Sequence, residues 1–213
     1  MNKNSIFLFL VLSVFITKNA HGQTAKEVFQ RSSNILWIGL DFTKATFVGD
    51  RAGFRNVDNC RQLIIEWNSL IISEPGAFNF FETFHEKNNF KSKISITVKH
   101  NESIDLEDCI LDLPSETGGF TKNTVSEIVS TYDFEGNTGI GLMFIVESFN
   151  KTINTGTLWV TFVDMGNNKV LFTEKVVGKP GGFGMRNYWA GAIKDILKYI
   201  RKQLYYDWQR KYQ

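Results

Sequence analysis

The chain has 213 residues, with 24 basic and 22 acidic side chains, 19 phenylalanines and two cysteines. Lys3 and Lys18 lie in an apolar leader, so basic and acidic residues balance after it, and such a chain lacks the Lys and Arg surplus that nucleic-acid phosphates demand. Two cysteines allow one disulfide at most, which excludes a disulfide-framework fold.

Lys3 precedes the apolar run Ile6 to Ile16, and Ala20-His21-Gly22 puts small residues at the minus-three and minus-one positions of a signal-peptidase site. Residues 1–22 therefore read as a signal peptide cut before Gln23. The run falls short of the roughly 20 apolar residues that a bilayer-spanning helix needs, and no other stretch reaches that length. No cysteine sits at the cut to carry a lipid. The expectation is a secreted or periplasmic protein without a transmembrane segment, residues 23–213 forming a single domain of a size that one core supports.

After a polar lead-in with a helical turn around Val28 and Phe29, the continuous apolar run Ile35 to Phe42 predicts a strand covered on both faces. Residues 41–50 either extend it or leave the sheet. Asn56 or Asp58 offers an N-cap for a helix carrying Cys60, Leu63, Ile64, Trp67, Leu70 and Ile71 at three-and-four spacing, ended by Pro75-Gly76. Five phenylalanines between Phe78 and Phe90 mark a packed, partly helical segment. Ile94, Ile96 and Val98 alternate with polar residues, which predicts a strand with one wet face. An acidic stretch, Ser103 to Pro114, and a loop at Thr117-Gly118-Gly119 lead to a short helix over Asn123–Tyr132. Three strands follow, Gly139–Phe149, Thr155–Asp164 and Lys169–Gly178, joined by Asn- and Gly-containing turns. A glycine-rich link leads into a long terminal helix with Tyr188, Trp189, Ala192, Ile193, Ile196, Ile200 and Leu204 on one stripe. The expected fold is α+β (α/β): one mixed, mostly antiparallel sheet with a C-terminal three-strand meander and packed helices, the terminal one long.

The strand ending Trp159-Val160-Thr161-Phe162-Val163-Asp164, the strand Val170-Leu171-Phe172-Thr173, the glycine-rich link and the terminal helix together resemble periplasmic α/β domains of the curli-secretion-channel-like and TolB amino-terminal-like kind. Gly182-Phe183-Gly184-Met185-Arg186-Asn187-Tyr188-Trp189 is similar to segments of exported bacterial proteins of unknown function. The resemblance covers less than half of the chain. It implies a mixed sheet with helices in the cell envelope and transfers no catalytic residue; the lipidated cysteine of many such proteins is missing.

Motifs for catalysis or metal binding are sparse. After the leader the histidines are His85 and His100, with neither His-Glu-x-x-His nor Cys-x-x-Cys present, so no metal and no cofactor is expected. Glu82, His85 and Glu86 share a helical face that reads as solvated. No Gly-x-Ser-x-Gly elbow occurs. Asp41, Glu147 and Asp164 are carboxylates among apolar strand residues, where burial raises an acid pKa, although strand-end carboxylates more often cap turns. Asp105, Glu107, Asp108 and Asp112 lack the spacing and central glycine of a calcium loop. Cys60 and Cys109 are either a disulfide or two buried thiols. Asn101-Glu-Ser and Asn150-Lys-Thr are glycosylation sequons.

Pro180-Gly181-Gly182-Phe183-Gly184 before a helix is the most suggestive local feature, since helix-start N–H groups attract anions, yet it fits neither phosphate-loop nor dinucleotide fingerprints. Gly182, Gly184, Arg186, Trp189 and Trp208 are the candidate ligand- or partner-binding residues. The basic, aromatic terminal helix suits peripheral contact with an anionic membrane as well as packing. The preferred function is a non-catalytic binding or cell-envelope accessory module whose partner is an envelope protein or a small ligand. The alternatives are a small hydrolase using carboxylates such as Asp41 and Asp164, and a carrier of lipids or small apolar ligands.

Overall fold

The structure, a computed structural model, describes residues 22–30, 34–49, 51–54, 56–85, 91–113 and 119–212. Apart from Gly22, the leader lies outside the described residues. Thr24 and Glu27 form a capping box around the single turn α1 (Ala25–Val28), which delivers Val28 and Phe29 to the core. The apolar run forms β1 (Ile35–Asp41); the chain turns at Thr43 and resumes as β2 (Thr46–Val48). After α2 (Arg51–Phe54), Asn56 caps α3 (Val57–Ser73) by accepting a 2.8 Å hydrogen bond from the Asn59 N–H. Next come α4 (Phe80–Thr83), β3 (Lys91–Ser92), α5 (Ser95–His100) with a 3₁₀ turn to Ser103, and β4 (Ile110–Leu111). Thr121 caps α6 (Lys122–Ser130). The long strands β5 (Ile140–Asn150), β6 (Thr155–Asp164) and β7 (Lys169–Gly178) precede α7 (Met185–Tyr199). That helix runs through a π-helical segment, Ile200–Leu204, into α8 (Tyr205–Tyr212).

The fold is α+β, organised on β5. On one side β6 and then β7 pair antiparallel. On the other, β1 lies parallel along the first half of β5 and β2 parallel along its last three residues, so the two short strands share one edge end to end. β3 adds parallel to β1, and β4 parallel to β2. Four of the six pairings among the described residues are therefore parallel, which corrects the expectation of a mostly antiparallel sheet. Antiparallel hairpins announce themselves through tight turns, whereas parallel neighbours are joined by long crossovers that carry no local signature.

The alternation at Ile94, Ile96 and Val98 is a second correction: residues 95–100 form α5, and β3 is instead Lys91–Ser92. With Ile96 and Thr97 both buried, the segment presents a helical face to the sheet, and tertiary packing overrides the β-branched preference of Ile, Thr and Val.

Both faces of the sheet are covered. Leu142, Phe144 and Val146 of β5 point into an aromatic-rich core with Trp67 of α3 and Trp189 and Ile193 of α7, while Met143 and Ile145 face a smaller core beneath Ile96 of α5 and Val125 and Val129 of α6. A bulge in β1 between Trp37 and Gly39 sets two residues of β1 against one of β5 and resets the alternation. Leu40 therefore faces the aromatic core, and Asp41 turns towards α5 and α6. Gly39 occupies the bulge at φ +122°, a region that L residues with side chains rarely adopt.

Candidate functional site

The bulge leaves the Leu40 backbone without a regular ladder, and two buried asparagines complete it. Asn68 of α3 accepts from the Leu40 N–H at 2.7 Å and donates to its carbonyl at 3.1 Å; Asn101 donates to the same carbonyl at 2.9 Å and accepts from the Phe42 N–H at 2.7 Å. Buried backbone groups must find such partners, so the clamp fixes where β1 ends. Asn101, the first residue of one sequon, is buried in this role and not open to glycosylation.

At that end sits the fully buried Asp41. Its carboxylate accepts from the Thr43 N–H at 3.1 Å, the Thr43 hydroxyl at 2.8 Å and the Tyr132 hydroxyl at 2.5 Å. The His100 ring stacks on Tyr132 at 3.9 Å between centroids, its Nε2 3.9 Å from Asp41 Oδ2 and 3.5 Å from the Thr131 hydroxyl. Over this cluster opens a cleft of about 550 Å³ between α5 and α6, floored by Ile96, Ile128 and His100. Two ion pairs stand at its rim, Lys44 with Glu127 at 3.7 Å and Lys99 with Asp133 at 3.6 Å. The place is a general one for ligands, outside the carboxyl end of a parallel strand, and the volume falls within the roughly 300–1,000 Å³ of ligand pockets.

Burial holds the His100 imidazole below its ordinary value of 6.5, against the opposing pull of the Asp41 carboxylate. Burial and then the same carboxylate hold the Tyr132 phenol well above 10, so its proton stays in the hydrogen bond. Because the unfolded chain takes up the His100 proton first, stability from this group is whole above about 6.5 and is lost as the pH falls through the folded-state value. Urea unfolding near pH 7 and near pH 5 should show a steeper acid loss for the wild type than for His100→Gln. Equal losses would count against this placement of the ring.

The other candidates fall elsewhere. Asp164 pairs in register with Ile140 at the start of β5 from one side, while Asp41 pairs with Ile145, halfway along β5, from the other, so the two residues lie on the order of 15–20 Å apart at strand spacing. They form no hydrolytic pair, which requires roughly 10 Å or less. Asp164 accepts from the N–H groups of Gln23 and Gly166 and from the Asn167 amide, closing the β6–β7 turn. Glu147 is held by Lys175 at 2.9 Å and by the Trp159 indole at 2.7 Å. Glu82 pairs with Arg201, and His85 bonds the Arg201 carbonyl while stacking on Tyr205, so both tie α4 to the C-terminal helix; Glu86 lies outside the described residues. Asp105 accepts from the N–H groups of Glu107 and Asp108, and Asp112 pairs with Arg51. Among the described residues no group of three His, Cys, Asp or Glu is placed to hold a metal.

Gly182 and Gly184 are exposed at φ +122° and +78° in a loop whose tip, Phe183, is 96% exposed, and a shallow cleft of about 380 Å³ adjoins it with Lys151 and Tyr188. Arg186 is half-buried, its side chain on Asn187 and its carbonyl accepting from the Trp67 indole at 2.9 Å. Trp189 and Trp208 are buried in the core. Trp189 stacks on Phe149 at 4.7 Å, and Trp208 donates to Glu174 at 2.8 Å. Three cations of the terminal helix, Lys194, Arg201 and Arg210, are paired with Glu74, Glu82 and Asp207. No described helix is long and apolar enough to cross a membrane.

Sequence reasoning singled out Asp41, noted His100 only as a histidine outside any metal motif and Asn101 only as a sequon, and passed over the roles of Tyr132 and Asn68. An Asn on the apolar stripe of a helix, as at Asn68, was the available signal, because a buried amide needs partners. Comparison with protein-family models finds no match, and comparison with curated proteins finds none.

Proposed function

We propose that this protein is an exported, non-catalytic binding module whose ligand is a small organic molecule with an apolar body and a polar head, seated in the cleft over His100. The cleft carries this reading: its floor is apolar, its rim is charged in both signs, and His100 is the polar group at its base. Against a nucleophilic relay stands the use of one ring nitrogen for both neighbours. A hydrolytic triad turns opposite nitrogens of the imidazole to the carboxylate and to the hydroxyl, whereas here Nε2 faces both Asp41 and Thr131. Thr131 also donates its hydroxyl proton to the Ile128 carbonyl at 2.7 Å, which occupies it within its own helix end. Export is part of the proposal through the leader and the resemblance to envelope domains.

The anionic aryl dye 1-anilinonaphthalene-8-sulfonate, an apolar body with a polar head, serves as probe. The folded protein is expected to bind one equivalent with enhanced fluorescence, and Ile128→Trp, which fills the cleft, is expected to weaken binding at least about tenfold, the equivalent of 1.4 kcal/mol. A second reading, partner contact through the glycine loop, is favoured by the exposure of Phe183. Dye binding lost in Phe183→Ser but kept in Ile128→Trp would replace the first reading by the second.

A further inference from the structure

Cys60 and Cys109 are far apart in the chain and adjacent in the fold. Cys60 stands in the first turns of α3, fully buried; Cys109 immediately precedes β4 and is 7% exposed. Both are free thiols of the aromatic-rich core, and each lies near enough to perturb the other. Cys109 is pinned in place, its carbonyl accepting from the Phe47 N–H of β2 at 2.8 Å and its thiol donating to the Leu106 carbonyl at 3.4 Å. A cleft of about 480 Å³ lined by Phe54, Asn56, Val57, Leu106 and Ile110 opens beside the pair, between the start of α3 and the loop that carries Cys109. β4 is only two residues long and, among the described residues, pairs with β2; Arg51 of α2 holds this edge through the Ile110 carbonyl at 2.6 Å and Asp112 at 3.1 Å.

We infer that Cys60 and Cys109 are a disulfide-forming pair, a covalent staple between α3 and the β4 edge of the sheet that closes in the presence of a low-molecular-weight disulfide. Cys109 is the more accessible of the two, on the loop that lines the cleft while Cys60 is fully buried behind it, so a small disulfide reaches Cys109 first and Cys109 supplies the first thiolate. That thiolate attacks one sulfur of the oxidant and expels one thiolate. Cys60 then loses its proton and attacks the Cys109 sulfur, expelling the second. Two protein thiols become one disulfide, and the two electrons and two protons leave on two small thiols. The bond closes a loop of about 50 residues, the length at which a cross-link constrains the unfolded chain strongly.

The test incubates the reduced, folded full chain with glutathione disulfide, then quenches with N-ethylmaleimide in denaturant and measures intact mass, circular dichroism and thermal midpoint. The expected product has lost two hydrogens, takes up no maleimide until reduced, keeps its circular dichroism and melts several degrees higher. Three outcomes would overturn the inference: a stable glutathione adduct on Cys109 with Cys60 still free, two maleimides added after prolonged oxidation, or a cross-linked chain that melts lower than the reduced one. Cys60→Ser should trap the mixed disulfide on Cys109. The readout does not involve the cleft over His100, so the staple and the binding proposal stand or fall separately.

Discussion

Gly39→Ala is expected to lower the unfolding free energy by about 2–4 kcal/mol, a large fraction of the stability of a domain of this size. Two costs add. At φ +122° an L side chain is strained by about 1–3 kcal/mol. The new Cβ would also lie 2.6 Å from Asn68 Oδ1 and 3.0 Å from Thr97 Cβ. Asn68 cannot yield freely, because its amide satisfies both backbone groups of Leu40; moving it leaves a buried N–H without a partner, worth about 1–3 kcal/mol. If the bulge is lost altogether, Asp41 turns into the aromatic core and leaves Tyr132 and His100 beneath the cleft without their carboxylate, so dye binding should fall together with stability. Urea unfolding with a loss below about 1 kcal/mol would show that the bulge does not set the direction of Asp41.

Trp189→Ala should cost about 3–5 kcal/mol, the range for emptying a large buried aromatic site. The indole is fully buried, stacked nearly parallel on Phe149 and met edge-on by Tyr188. Collapse of the cavity is opposed by the closeness of α7 to the sheet: a Cβ at Gly178 would come within 2.8 Å of Ile196, and one at Gly156 within 2.8 Å of the Ala192 Cβ. Trp189→Phe should cost less than half as much, because the indole N–H has no hydrogen-bond partner among the described residues and its loss removes no bond. Thermal unfolding of the two variants decides between a packing role and a binding role. A Trp189→Ala protein as stable as the wild type would return this residue to the surface candidates.

Much of the element list was legible because it is written locally. The run at 35–41, the Asn56 cap, the stripe on α3, the turns between the last three strands and the stripe on α7 each depend on neighbours within a few residues. Residues 94–98 misled because five residues of alternating Ile, Thr and Val fit a strand and a short buried helix equally well, and only the place left between the sheet and α6 decides. The candidate site divides in the same way. Asp41 could be named as a chemically capable carboxylate, but nothing local says that a carboxylate at 41, an imidazole at 100 and a phenol at 132 converge. Trp208 stands in the sequence among the basic and aromatic residues that suit partner contact, and Trp189 is among the binding candidates although it lies on the apolar stripe; both face inward once α7 and α8 lie on the sheet.

Chain composition and periodicity alone determined the charge balance, the ceiling of one disulfide, the order of most helices and strands, and which stripes are apolar, since these follow from nearest-neighbour sterics and amphipathic spacing. Only the three-dimensional packing decided the parallel pairing of β1 and β2 with β5, the inward turn of Asp41, the meeting of His100 with Tyr132 and that of Cys60 with Cys109. Each of these joins residues separated by long crossovers, and such contacts are selected by how whole surfaces bury one another rather than by any short stretch of chain.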